Sequence, residues 1–535
     1  MHLGHITYSI WCFILYHYTS AKFMLKNVTN NESALFILAL LPTLLLLLMT
    51  ALITIIFGTY KGFVYACLKI WYGRKFVKFV PGCGVVTSFH DKDFNHISVL
   101  SRITTHLSGN ELFDQINDQI FEKFFITDIR NELFCLCPRQ MGYSFIVNIR
   151  DLEIEEVFRE IKTDKTLLTE IELQDYVNKF FGSPMPRNNE LAFDMALCTT
   201  PIEDDENTEG LKTYAFFFRV KHALGDGLVF YNLLSNAFTT PCEANESYVK
   251  KLTQPNEKID KLKECASHVI NVHQGPTFDR QLIWSENTLT SGQFVSREED
   301  CIWKIREVRK CFPGVTFLNV VIAAYTASLA DYFKKYIPDN IPANINIACP
   351  LQLNVGRIQR MLTQGGKNDF DNDFSAFQLV CPVVVDKNTG ESLIQRLMLV
   401  QAEFERVFKS FDIISMYITF KVFLNILPLP MVKIFCHRLF FATMFSCIPG
   451  GPKREFFNGA KIKCPTFYIP LQHALGIGVS ILTYDDKMQV GFSLDATKFD
   501  SQDKIDMLIN GFFNYIDLIY QESVKRLNSN SISRL

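Results

Sequence analysis

The amino-acid sequence predicts an α/β protein made of two halves that follow one amino-terminal transmembrane helix. An uncharged apolar run, residues 34–60, predicts the helix. The two halves are predicted by strand-like runs of aromatic and β-branched residues that alternate with runs of helical periodicity, on both sides of a polar region at residues 241–300. With 535 residues, the chain is long enough to form two domains with sizeable cores.

The apolar run is longer than the roughly 20 residues that a helix needs to cross the hydrocarbon core of a membrane. Pro42 lies in its first half and is tolerated in a membrane helix. We therefore predict a transmembrane helix from Ala34 to about Gly58, residues 34–58. More basic residues follow this helix than precede it, so the positive-inside rule predicts a single-pass protein with a cytosolic carboxy-terminal part. The endoplasmic reticulum is the expected membrane, with the plasma membrane as the alternative.

Residues 1–33 are accordingly predicted to be a lumenal tail. This tail carries two acceptor sequences for N-glycosylation, at Asn27 and Asn31. A second, shorter apolar run at residues 6–21 is open to two interpretations. It is a signal-like segment, or it lies upstream of a true start at Met24.

Charge and cysteine usage exclude two classes of function. The net charge is −2 and the basic residues are spread along the chain, so the sequence offers no basic stripe for nucleic acid. Cys135 and Cys137 stand two residues apart without a second pair or nearby histidines, so a metal site is unsupported. The cysteines are predicted to be free thiols in a reducing compartment.

The amino-terminal half is predicted to span residues 80–270, and a crossover at residues 271–300 leads to the carboxy-terminal half, residues 301–527. Residues 143–149 and 214–222 are predicted strands, and residues 228–238 have helical spacing. The carboxy-terminal half is predicted to contain helices at 316–336, 390–410 and 500–526, strands at 344–353 and 375–385, and a hairpin at 476–495 that turns at Asp485-Asp486-Lys487.

Residues 411–447 are strongly apolar but are interrupted by lysine, arginine and proline. The favoured interpretation is a pair of core helices. The alternative is a surface helix that lies on the membrane beside the transmembrane helix.

The stretch VKHALGDGLVF, residues 220–230, contains the candidate catalytic residue. The strand before it delivers His222, and Gly225 and Gly227 permit a tight bend, with positive φ if needed, before the next helix. Asp226 then lies at a strand-to-helix corner, where it can accept backbone N–H bonds or pair with an arginine. A histidine held in this way can accept a proton near neutral pH. The competing interpretation is a structural histidine with its hydrogen bonds satisfied.

The sequence KHALGDG resembles the HHxxxDG motif of CoA-dependent acyltransferases with the chloramphenicol acetyltransferase fold, and among these it is most similar to the wax ester synthase/diacylglycerol acyltransferase family. The resemblance continues from about residue 85 to residue 525. TFLNVVIAAYTASLADYF and NINIACPLQL are similar to the family's helix after the crossover and to the strand that follows it. CIPGGPKREFFNGAKI and the hairpin at 476–495 are similar to its carboxy-terminal segments. NDFSAFQLVCPV resembles its Asn-x-Phe-Ser … Leu-Pro-Val segment through Asn372, Phe374, Ser375, Pro382 and Val383.

Three departures from the family pattern stand out. The first histidine of the motif is Lys221 here, whereas the second, the family's catalytic base, is present as His222. The family's Asn-Asp pair falls on Leu318-Asn319, and its Pro-Leu-Trp segment is replaced by RNNELAFDM, residues 187–195. These departures leave the base intact and bear on the choice of acceptor and on the activity.

The resemblance implies two chloramphenicol acetyltransferase-like halves with a tunnel between them and His222 at its middle. Acyl-CoA is the implied co-substrate, with no bound cofactor and no metal, and Asp226 and Gly227 support the motif. The implied reaction is transfer of a long-chain acyl group to a fatty alcohol or to diacylglycerol at a membrane. Two alternatives remain: another acceptor (a sterol, a small alcohol or an amine), or a catalytically silent lipid-binding protein of the same fold.

Overall fold

The computed structural model describes residues 32–88, 95–122, 135–149, 152–204, 210–238, 291–353, 372–385, 392–410, 412–436, 442–451, 453, 455–456, 459–471 and 476–532. The amino-terminal tail, including residues 6–21, Asn27 and Asn31, lies outside the described residues. So do residues 271–290 of the predicted crossover.

The apolar run forms one long helix, α1, Glu32–Tyr72. The helical stretch Leu48–Lys75, which begins in α1 and includes the short 3₁₀ turn after it, is long and apolar enough to cross a membrane, with a mean hydropathy of 1.6 and 11% of its apolar window buried against the protein. The predicted span, residues 34–58, lies in the same helix, which continues past it to Tyr72. That later part packs on the rest of the protein, since the Lys61 ammonium donates to the backbone carbonyl of Asn425 (2.6 Å).

The amino-terminal half contains two sheets. A three-stranded sheet has the order β1-β4-β3. A five-stranded sheet has the order β12-β2-β7-β6-β5, in which β12 is Lys461–Tyr468 of the second half. Strands of this half are β1 Phe76–Phe79, β2 His96–Thr105, β3 Leu136–Met141, β4 Tyr143–Asn148, β5 Phe158–Ile161, β6 Phe193–Cys198 and β7 Lys212–Lys221. Its helices are α2 Gly82–Val86, α3 Gly109–Ile120, α4 Ile154–Val157, α5 Glu170–Phe181 and α6 Gly227–Phe238.

The carboxy-terminal half is built on a six-stranded sheet with the order β10-β9-β11-β13-β14-β8. Its strands are β8 Gly292–Glu299, β9 Asn344–Leu351, β10 Ser375–Pro382, β11 Thr443–Gly451, β13 Ile477–Tyr484 and β14 Lys487–Asp495, and β12 Lys461–Tyr468 joins the other sheet. The helices are α7 Ile302–Cys311, α8 Phe317–Tyr336, α9 Leu393–Phe408, α10 Asp412–Ile418, α11 Leu424–Ile426, α12 Leu429–Cys436 and α13 Gln502–Ile532, with a π-helical turn at Thr419–Phe423.

Strand β12 links the halves. It follows β11 and precedes β13 in the chain, and both of these belong to the six-stranded sheet. Nevertheless β12 pairs antiparallel with β2, from Lys461 opposite Thr104 to Tyr468 opposite Ser98. The five-stranded sheet is therefore completed by a strand from the second half.

Two expectations about secondary structure were wrong. Residues 292–299, predicted as irregular, form β8, the edge strand that pairs with β14. Its sequence is polar because Phe294 is its one buried residue, so it lacks the apolar alternation of a half-buried strand. The end of the apolar region 411–447 is also not helical, since β11 begins at Thr443; helices and the π-helical turn occupy residues 412–436.

Candidate active site

His222 is the first residue of a short 3₁₀ turn, His222–Leu224, that directly follows β7. Its backbone N–H donates to the carbonyl of Asn95 (3.1 Å), and its carbonyl accepts from the N–H of Gly225 (3.3 Å). Helix α6 begins at Gly227, so the motif lies at a strand-to-helix corner. The strand itself ends one residue earlier than the sequence predicted, at Lys221.

Asp226 holds this corner from two sides. One carboxylate oxygen accepts from the backbone N–H of Val229 (3.1 Å), which caps the first turn of α6. The other accepts from the backbone N–H of Asp373 (3.3 Å), a residue of the other half. These two bonds are those of a backbone acceptor, one of the two roles foreseen for this carboxylate.

The two glycines of the corner lie in a closely packed place and do not have a left-handed backbone. Gly225 is extended, with φ −179°, and neither glycine has a positive φ, so that expectation was wrong. A Cβ on Gly225 would lie 3.2 Å from side-chain atoms of Phe230 and Val229, and one on Gly227 would lie 2.9 Å from Cδ1 of Ile448. The turn is closely packed against α6 and, at Gly227, against β11.

The imidazole of His222 lies where the two halves meet, with its ring centroid 6.2 Å from that of Phe374. The Nδ1 atom is buried and has no hydrogen-bond partner, although the residue as a whole is partly exposed. Burial lowers the pKa of His222; the ring's own backbone carbonyl, Asp226 and Asn372 oppose this, and burial is the larger effect. The ring is therefore neutral at pH 7, the state in which it can accept a proton.

Asn372 is the neighbour whose role the sequence did not reveal. Its side-chain Nδ2 donates to the His222 carbonyl (2.8 Å), and the residue is fully buried. The next residue, Asp373, forms an ion pair with Lys421 (2.8 Å) and accepts from the Tyr417 hydroxyl (3.1 Å). In the sequence Asn372 was one member of the Asn-x-Phe-Ser likeness, and no local pattern connects it with a residue 150 positions earlier.

Lys221, which occupies the first histidine position of the motif, has different neighbours from His222. Its ammonium group donates to the carbonyl of Asn189. Burial lowers the pKa of Lys221 to about 8. Asn189 closes a turn in which Arg187, Asn188 and Asn189 all have positive φ, at 51°, 52° and 68°. This is the place where the family's Pro-Leu-Trp segment was not preserved.

The altered Asn-Asp position has a structural role in this chain. Asn319 is buried, and its Oδ1 accepts from the backbone N–H (2.7 Å) and hydroxyl (2.9 Å) of Thr316, while the Thr316 hydroxyl accepts from the Asn319 N–H (3.3 Å). Together they form a capping box at the start of α8.

An apolar cavity lies beside the motif. Its walls come from β2, β7 and α6 of the first half and from β11, β12 and β13 of the second. Gly227 of the motif lines it, and the Tyr231 hydroxyl, also in its wall, donates to the carbonyl of Gly450 on β11. Ile97, Phe216, Phe230, Leu234, Ile448 and Leu482 are among its apolar side chains. A cavity with this lining suits an apolar ligand.

Comparisons with known proteins agree with this architecture. Residues 372–514 match the family model described as the WS/DGAT C-terminal domain. Among solved structures, the fold is similar to wax ester synthase/diacylglycerol acyltransferase from Marinobacter aquaeolei VT8, with a TM-score of 0.53 and 16% identity over 83% of this chain and 100% of that chain. It is also similar to trichothecene 15-O-acetyltransferase from Fusarium sporotrichioides, with a TM-score of 0.52 and 11% identity over 83% and 96% of the two chains.

A search of curated protein sequences found no match. The structural similarities, at these identities, establish the fold, and the family model adds a sequence match over much of the second half. The resemblance predicted from the sequence is thus confirmed: residues 372–514 match the WS/DGAT C-terminal domain, and the chain has the two-half α/β fold of this acyltransferase family.

Proposed function

We propose that this protein transfers a long-chain acyl group from acyl-CoA to a lipid alcohol, with His222 as the general base. The observation that carries the proposal is the position of His222, a neutral imidazole held between two halves with a WS/DGAT-like fold. The acceptor is a fatty alcohol, which yields a wax ester, or diacylglycerol, which yields triacylglycerol.

In the proposed reaction, the acceptor oxygen attacks the thioester carbonyl carbon while the imidazole takes the hydroxyl proton. The tetrahedral intermediate then collapses, the carbon–sulfur bond breaks, and the imidazolium gives its proton to the departing sulfur. The products are the ester and free CoA, and His222 returns to its neutral state. The atoms and electrons of this reaction balance without a covalent acyl-enzyme, a metal or a redox partner.

Two further features support a lipid substrate. The cavity beside the motif is lined almost entirely by apolar side chains from both halves, as an acyl chain requires. Helix α1 contains a stretch long and apolar enough to cross a membrane, which we propose to be a single-pass anchor in the endoplasmic reticulum with the two halves in the cytosol. Anchoring raises the effective concentration of acceptors that reside in the bilayer.

The test uses microsomes that contain the full chain and labelled palmitoyl-CoA, with hexadecanol and diacylglycerol supplied in parallel. We expect His222→Ala to lower ester formation by about 10²- to 10⁴-fold, the usual contribution of a general base. His106→Ala is the matched control, because His106 is an exposed histidine whose Nδ1 contacts the Gly210 carbonyl, and it should retain full activity. Full activity of the His222 variant would refute the mechanism.

The same assay separates the alternatives. Labelled wax ester or triacylglycerol identifies the acceptor. Ester formed only from a sterol or a small alcohol, or amide formed from an amine, supports a different acceptor. If no acceptor is labelled, thermal stabilisation by long-chain acyl-CoA compared with free lipid tests for a silent lipid-binding protein, because a lipid carrier does not need to recognise CoA.

A further inference from the structure

The segment Asn372 to Phe374 of the second half is docked on the His222 turn of the first half. The Asn372 side chain donates to the His222 carbonyl (2.8 Å), and the Asp373 backbone N–H donates to Asp226 (3.3 Å). The Phe374 ring faces the imidazole, with centroids 6.2 Å apart. Three consecutive residues of one half thus hold the turn that the other half presents.

Two polar atoms at this contact are a potential hydrogen-bond donor and a potential acceptor. Nδ1 of His222 and Oδ1 of Asn372 are both buried, and neither has a hydrogen-bond partner. Buried polar groups in proteins are nearly always paired. One of these atoms can carry a proton and the other can only accept one, and their residues are already joined by the bond from Nδ2 to the backbone.

The backbone carbonyl of His222, another acceptor for Nδ1–H, already accepts two hydrogen bonds. The His222 carbonyl accepts from Asn372 Nδ2 (2.8 Å) and from the N–H of Gly225 (3.3 Å), which uses both of its lone pairs. Oδ1 of Asn372 is a buried acceptor without a partner, on a residue that already contacts the His222 turn.

We propose that Asn372 is a positioning residue for His222: its Oδ1 accepts a hydrogen bond from Nδ1–H of the imidazole, which fixes the proton on Nδ1 and leaves Nε2 as the base. The inference rests on the proposed role of His222 in acyl transfer. The site then depends on both halves, since a residue of the second half sets the tautomer of the base in the first half.

The surroundings of Asn372 fit such a role. A Cβ on Gly84 would lie 3.1 Å from Nδ2 of Asn372 and 3.2 Å from the carbonyl of Ala223, so the glycine leaves the space in which the amide reaches the turn. Asn372 also acts to raise the pKa of His222, in the direction expected of an acceptor for the ring. The charged groups nearby are Asp226 on the turn and the ion pair of Asp373 with Lys421.

The direct test reads the tautomer without turnover. The full chain, labelled with ¹⁵N-histidine and held in detergent, is measured by long-range ¹H–¹⁵N correlation, and the His222 signals are assigned by their loss in His222→Ala. We expect the Nδ1–H tautomer in the wild type and a mixture or the Nε2–H tautomer in Asn372→Ala. The same tautomer in both proteins would overturn the proposal.

A kinetic test distinguishes positioning from a purely structural role. Asn372→Asp places a carboxylate at Nδ1–H, which favours imidazolium, so the acid limb of kcat/KM should move up by about one pH unit or more. Asn372→Ala should lower kcat by about tenfold to a hundredfold with little change in KM for acyl-CoA, the effect of losing one hydrogen bond that orients a reacting group. An acid limb that stays in place in Asn372→Asp would contradict the inference.

Asn178 provides the matched control, because its Oδ1 also joins the halves, accepting from the backbone N–H of Phe294 on β8 at 2.8 Å. Asn178→Ala and Asn178→Asp should leave the acid limb and the His222 tautomer unchanged. The two proposals fail in different ways. Full activity of His222→Ala refutes the role of His222 as the general base. A tautomer that does not depend on Asn372 refutes the hydrogen bond from Nδ1–H to Asn372.

Discussion

Replacing Asp226 tests whether the motif aspartate stabilises both its own helix and the contact between the halves. Asp226→Ala removes the acceptor of the Val229 N–H, and with it the cap of α6. It also removes the acceptor of the Asp373 N–H, which comes from the other half. Asp226→Asn is the informative partner, because its remaining oxygen can still cap the helix while its amide nitrogen cannot accept from Asp373.

The two hydrogen bonds give the expected magnitudes. Loss of an N-cap costs about 1 kcal/mol, and leaving a buried N–H without an acceptor costs about 1–3 kcal/mol. Asp226→Ala should therefore lower the free energy of unfolding by about 2–4 kcal/mol, and Asp226→Asn by about 1–3 kcal/mol. For domains of this size the larger change lowers Tm by roughly 5–15 °C.

The assay is thermal unfolding of the full chain in detergent, followed by ester formation below the transition. Activity should fall with both substitutions, because both remove one of the bonds that join the His222 turn to the second half. Ser108→Ala is the control: it removes only the cap of α3, formed by the serine hydroxyl and the Glu111 N–H, and should cost about 1 kcal/mol with full activity. Wild-type stability and activity in Asp226→Asn would show that the bond to Asp373 does not hold the site.

Two further predictions concern Lys221 and the membrane. Lys221→Met should retain most of the acyl transfer, since the ammonium donates to Asn189; loss of activity to the level of His222→Ala would place the lysine in the chemistry. Because burial lowers the pKa of Lys221 from 10.5 to about 8, the folded state releases a proton that the unfolded state keeps between these values. The wild type should therefore gain stability relative to Lys221→Met as the pH rises through that window, and a parallel pH dependence in thermal unfolding would argue against the burial effect. The full chain should stay with microsomes in alkaline carbonate, and external protease should degrade the part after α1; protection of that part would reverse the proposed orientation.

Local chemistry explains what could be predicted from sequence. The hairpin turns at Asp485 and Asp486, whose φ values of 53° and 57° suit a two-residue turn between paired strands, and aspartate tolerates this conformation. The start of α8 follows from the capping box formed by Thr316 and Asn319. His222 could likewise be placed at a strand-to-helix corner because the strand, the glycines and the helix are contiguous.

Contacts between distant segments could not be predicted in this way. Nothing within Lys461–Tyr468 indicates that β12 leaves its neighbours in the chain and pairs with β2. The edge strand β8 was not predicted, because an edge strand with one buried residue has the composition of a loop. Asn372 was visible only through resemblance, since its bond to His222 depends on how the halves dock. The spacing of the two glycines suggested a bend but did not show that both are closely packed and that neither has a positive φ.

The pairing of β12 with the sheet of the other half also affects how the protein is synthesised. The pairing edge of β2 is complete at Thr105, but its partner β12 ends at Tyr468, about 360 residues later in the chain. At about 5–20 residues per second, the ribosome takes roughly 20–70 s to cover that distance. During this interval one edge of the amino-terminal sheet remains without its strand, a surface that invites aggregation. We therefore expect nascent chains to need a chaperone at this edge, and a truncation before β12 to leave the five-stranded sheet without its edge strand.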